Sequence, residues 1–151
     1  MFLKKAILKN YFKSKCFYWI DAGYFRDSQN DMKPYVNDWP SIKLCNKDKK
    51  LLMGQIKNFT ETDKKRIINF DTEAHKTLQR NMNVAGNMFG GKSENILKFS
   101  YLYYNSLRAF IKRKIFIGKD QNIYTFIAFS HPEIINLIYF KTWFDFKILL
   151  V

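Results

Sequence analysis

The chain has 151 residues, with 26 Lys+Arg against 13 Asp+Glu, a formal net charge of +13, and 47% hydrophobic and 18% aromatic content. That length suits one domain and hardly two, and the apolar content excludes an intrinsically disordered tail. Without glycine or heptad periodicity, a collagen-like or coiled-coil rod is excluded as well.

The first segment, Phe2 to Phe12, spaces Leu3, Ile7 and Tyr11 at i, i+4 and i+8 with lysines between them. This is the pattern of an amphipathic helix with a basic outer face. Cys16-Phe17-Tyr18-Trp19-Ile20 follows, an unbroken apolar and aromatic run that reads as a central strand buried on both faces. It stops at Asp21-Ala22-Gly23. A helix feeding a buried strand that ends in an acid and a glycine predicts an α/β fold with a mixed or parallel sheet flanked by helices.

Arg26 to Pro40 reads as a long polar loop, Leu51 to Phe59 as a short helix and Arg66 to Phe70 as a strand. Val84 to Gly91 holds three glycines and ends at a turn. Ser93 is placed to cap a helix that runs to about Lys114, with Ile96, Phe99, Tyr103, Leu107 and Phe110 on one face. After a connector at Ile115 to Gly118, Asp120 is placed to cap a helix through about Phe129. Pro132 is expected to open a last helical segment, and Trp143 to Val151 is apolar to the end.

The charge admits nucleic acid, an anionic membrane surface or a phosphorylated substrate as partner. The lysines are spread along the chain and the densest group, Lys112-Arg113-Lys114, is short, so a nucleic-acid arm is not expected. Cys16 and Cys45 form neither a CxxC pair nor a zinc-like spacing. That spacing predicts no disulfide framework and makes Cys16 a buried thiol. Met1 to Lys5 is interrupted by lysines at once and resembles no signal peptide. Apolar stretches such as Ile123 to Phe129 are too short to span a bilayer. A reducing, cytoplasmic location is the expectation.

Three places carry candidate chemistry. Asp21, at the carboxyl end of a strand, is placed either to hold a ribose hydroxyl or a phosphate-bridging cation, or simply to make a turn. Gly23 would let backbone approach such a ligand. The segment from Asn83 to Gly91 is neither GxGxxG nor a P-loop; it reads either as a floor for a sugar or phosphate or as two turns. Asp120, with Gln121 beside it, is a helix cap, a general base or a group that binds substrate hydroxyls. His75 and His131 read as surface or packing residues, and no GxSxG or HExxH motif occurs.

The ordered set is more informative than its parts. Phe17-Tyr18-Trp19-Ile20-Asp21-Ala22-Gly23-Tyr24-Phe25-Arg26 resembles the central signature of the HtrL/YibB family, similar to WlaTC-type proteins. Trp39-Pro40, Ala85-Gly86-Asn87-Met88-Phe89-Gly90-Gly91 and Asp120-Gln121 follow in the family's order. These are bacterial proteins linked to lipopolysaccharide or surface-glycan synthesis and regarded as glycosyltransferases. The resemblance implies a GT-A-like fold that moves a sugar from a nucleotide-sugar donor to a glycan acceptor. It implies donor binding by Asp21, Gly23, Arg26, Gly86, Asn87, Gly90, Gly91 and Gln121, and catalysis by Asp120.

A divalent metal, manganese or magnesium, would be held by Asp21 with His131, although Asp-Ala-Gly supplies one carboxylate where Asp-x-Asp supplies two. Only about twenty residues precede Asp21. A GT-A enzyme places a nucleotide-binding βαβ unit there, so residues 1–151 are expected to be a partial domain served by an upstream nucleotide-binding fragment. The rival expectation is a non-catalytic fragment that binds glycan, an anionic membrane surface or a partner chain.

Overall fold

The computed structural model describes residues 2–21, 45, 49–81, 84–142 and 145. Helix α1, Phe2–Lys9, buries Leu3 and Ile7. Asn10 stops it by entering the left-handed region (φ 35°), so Tyr11 falls off the buried stripe and is 77% exposed. Strand β1, Cys16–Ile20, follows, then β2, Leu51–Gln55, where a helix had been expected. Leu51, Leu52 and Met53 are all buried because β2 is flanked on both sides by strands.

Helix α2, Glu61–Ile68, opens on a reciprocal box in which Asp63 N–H donates to Thr60 Oγ1 at 3.1 Å and Thr60 N–H donates to Asp63 Oδ2 at 3.0 Å. The strand expected at Arg66 to Phe70 is the end of this helix and its turn, which Phe70 closes at φ 60°. Helix α3, Thr72–Arg80, is capped by Asp71. Strand β3 spans Val84–Lys92 and leads into α4, Ser93–Lys112. Lys92 occupies the cap position without a side-chain bond, so Ser93 is the first helical residue rather than the expected cap. Helix α5, Asp120–Ser130, is buried from Asn122 through Ala128. Beyond it Pro132 lies in a turn, not a helix, and β4, Ile135–Tyr139, completes the fold.

The sheet is mixed, in the order β1-β3-β2-β4, with β1 and β2 antiparallel to β3 and β4 parallel to β2. Among the described residues β1 is an edge strand, half-buried throughout, which corrects the expectation of an interior strand. Phe99, Phe110, Ile123 and Ile127 from the helices meet Leu51, Met53 and Phe89 from the sheet in one core. Each such side chain contributes roughly 1.5–3 kcal/mol on burial. Cys16 and Cys45 are joined by a disulfide, correcting the expected free thiols. Their separation of 29 residues carries no local signature, and only the fold brings them together. Among the described residues no helix is long and apolar enough to cross a membrane.

Candidate functional site

The site begins where β1 ends. Ile20 pairs with Met88 across the β1–β3 ladder, and one step on the Asp21 backbone N–H donates to the Asn87 carbonyl at 2.7 Å. This bond sets the exposed Asp21 beside buried Asn87. At the neighbouring Gly86, a Cβ would lie 3.0 Å from Gln121 Cγ and 3.2 Å from its Nε2. The glycine therefore lets the first turn of α5 close onto β3. Asp21, Gly86, Asn87, Asp120 and Gln121 are drawn to one end of the sheet by these contacts.

Asp120 is the first helical residue of α5, with Lys119 at the cap position, and its Oδ1 accepts the Gln121 backbone N–H at 2.8 Å. It is therefore not the N-cap that its sequence position suggested. Its carboxylate lines a cavity of about 460 Å³ together with Phe2, Trp19, Tyr103, Tyr104 and Tyr124. Burial first, then the charge of Asp120 and a side-chain hydrogen bond with it, raise the ionisation of Tyr124. The phenol thus stays protonated beside the carboxylate. Burial, with a lesser effect of Asp120, also raises the Tyr103 phenol.

Among the described residues lining this cavity Asp120 is the one charged group. In a strongly basic chain the cavity is thus locally negative and aromatic. Its chemistry suits a neutral ring whose C–H faces stack on aromatic rings and whose hydroxyls donate to a carboxylate.

Other candidates lie elsewhere. Gly90 pairs with Tyr18 and Gly91 with Phe17. A Cβ on Gly90 would run into the Tyr18 ring and the Phe17 carbonyl, so strand pairing accounts for that glycine. The two glycines stand three and four positions beyond Asn87, roughly 10–13 Å along the strand at about 3.3 Å per residue. Neither they nor Asp21 line the 460 Å³ cavity.

His131 caps the far end of α5 and its Nδ1 lies 3.1 Å from Glu133 Oε1. Eleven residues of helix put it roughly 16 Å from Asp120. Asp21 and His131 are therefore not drawn together as a ligand pair, and among the described residues no group of three or more His, Cys, Asp or Glu could hold a metal ion. Gly23, Arg26 and the Trp39-Pro40 pair lie outside the described residues.

Trp19, Tyr103 and Tyr124 were not singled out as site residues from the sequence. A signal for Tyr124 was present: it follows Asp120 by four residues, one helical turn on the same face. A model of the family described as "Bacterial protein of unknown function (HtrL_YibB)" matches residues 1–150. The chain belongs to the HtrL/YibB family. No curated protein and no solved structure matches it. In this HtrL/YibB chain the strand-end Asp21 and the helix-start Asp120 are joined through Asn87, Gly86 and Gln121.

Proposed function

We propose that this HtrL/YibB protein acts as a GT-A-like glycosyltransferase, moving a sugar from a nucleotide-sugar donor to a surface-glycan acceptor of the lipopolysaccharide or capsule type. The observation that carries the reading is the Asp120 carboxylate in an aromatic cavity, tied through Gln121 and Gly86 to the strand end at Asp21. Sugar rings stack on Trp19 and the tyrosines while Asp120 accepts a hydroxyl. In the transfer, the acceptor oxygen bonds to the anomeric carbon as the bond to the diphosphate breaks. The acceptor proton passes to Asp120, and the nucleoside diphosphate leaves with the bonding pair.

Asp21 faces the donor from the strand end, where a carboxylate binds ribose hydroxyls. Lys119, exposed beside Asp120, offsets charge on the leaving group. A divalent ion on Asp21 would need ligands that the described residues do not bring to it, so no step here is routed through one. A thermal-shift screen of nucleotide sugars, with and without manganese, tests the reading. At least one sugar nucleotide should raise the melting temperature by several degrees, whereas no response to any of them would overturn the reading.

A further inference from the structure

The first twenty residues carry five lysines and no Asp or Glu, the first acid being Asp21. Lys4, Lys5, Lys9, Lys13 and Lys15 are all exposed. Among them stand large apolar side chains left in solvent: Phe12 is 92% exposed, Tyr11 77% and Leu8 69%. Isolated exposed apolar residues are ordinary, but a cluster rimmed by one sign of charge is not. Nor is this a frayed terminus. Asn10 clamps the turn from both sides, its Nδ2 donating to the Ser14 carbonyl at 3.0 Å and its Oδ1 accepting Ser14 N–H at 2.8 Å. Asn10 and Lys13 both adopt left-handed backbone (φ 35° and 51°), a conformation that Asn tolerates and Lys rarely takes. The turn thus holds Tyr11 and Phe12 outward.

Tyr11 and Phe12 themselves line an apolar trough of about 660 Å³, together with Ala6 and Lys9 of α1, Phe17 of β1 and Met88 of β3. We propose that α1 and the turn after it are a docking surface for an anionic phospholipid bilayer. Phe12, Tyr11 and Leu8 enter the headgroup boundary and the lysines meet lipid phosphates. Charge complementarity selects this occupant: lysines ringing apolar side chains match a surface that is anionic outside and apolar within. The surface lies on the fold independently of the sugar-transfer reading.

Vesicle co-sedimentation of the full chain tests this, using phosphatidylcholine alone and phosphatidylcholine with phosphatidylglycerol in equal parts. Binding should require the anionic lipid and should weaken at about 0.5 M salt, where screening shortens to a few ångströms. Each lysine near such a surface is worth roughly fivefold in partitioning. The double variant Lys9→Glu, Lys13→Glu should therefore lose at least tenfold, and so should Tyr11→Ser, Phe12→Ser. All these side chains are exposed, so both variants should melt like the parent.

Equal binding to both vesicle types, or variants that bind like the parent, would overturn the proposal. So would sedimentation velocity showing a dimer that Phe12→Ser dissolves while vesicles bind nothing, which would make the surface a contact between copies.

Discussion

The carbonyl of Asn87 accepts the backbone N–H of Asp21 at 2.7 Å, one step beyond the last residue of β1. This bond joins the acidic strand end to the glycine-rich strand, and it belongs to the backbone. A change of the Asp21 side chain leaves this backbone bond in place, whereas Gly90 packs directly against the neighbouring strand.

Gly90→Ala would set a Cβ against the Tyr18 ring and the Phe17 carbonyl. Backbone cannot yield as a side chain can, so the β1–β3 pair must part locally. A loss of about 1–3 kcal/mol is expected in urea denaturation. Gly86→Ala meets only the Gln121 side chain, which can swing away. It should cost under about 1 kcal/mol while displacing Gln121 from the sheet.

Asp120→Asn keeps the shape of the side chain and an acceptor for the Gln121 N–H. The lost charge at a helix start is worth about 0.3–1 kcal/mol, so melting should change by a few degrees at most. If Asp120 takes the acceptor's proton, turnover of the donor should fall by about 10²–10⁴-fold. Unchanged turnover would leave Asp120 as a helix-start acid and nothing more.

The sequence announced β1 and its acidic end, α4 and α5, because their patterns are long or sharply bounded. It misjudged the surroundings of β1, since an unbroken run such as Cys16–Ile20 looks the same on an edge as in the interior. β2 was hidden for a related reason. Leu51, Leu52 and Met53 are buried without alternation, and such a short apolar run does not separate strand from helix by periodicity. The joining of Asp21 to Asn87 and of Gly86 to Gln121 depends on pairings between segments distant in the chain. Nothing local encodes them.

His75 gives the molecule a distinct pH response. Its ring is buried among Phe70, Phe110 and Phe126, with Nε2 3.0 Å from the Ile67 carbonyl, to which it donates. Burial pushes its ionisation below the ordinary value, opposed by that hydrogen bond and by nearby Asp71. The folded ring stays neutral where the unfolded one, near 6.5, takes up a proton. The stability contribution is therefore whole above about pH 6.5 and is lost as pH falls toward the folded value. Melting temperature should decline as pH falls below about 6.5, ahead of the carboxylates. In His75→Gln that part of the profile should flatten, at a lower overall stability.

The Cys16–Cys45 disulfide ties the start of the edge strand β1 to a cysteine 29 positions on. For about thirty residues, chain-entropy arguments give roughly 3–4 kcal/mol. Denaturation with and without dithiothreitol should differ by about that amount, and Cys16→Ser should match the reduced form. Coincident curves would show that the bond adds nothing to stability.

The proposed transfer has Asp21 and Asp120 serve one ligand from two sides of the Gly86–Gln121 contact. Calorimetric titration of the nucleotide sugar that most raises the melting temperature, into the parent, Asp21→Ala and Asp120→Asn, tests it most directly. Both variants should bind at least tenfold more weakly, about 1.4 kcal/mol each, while melting within a few degrees of the parent. Undiminished affinity in either one would contradict the shared site.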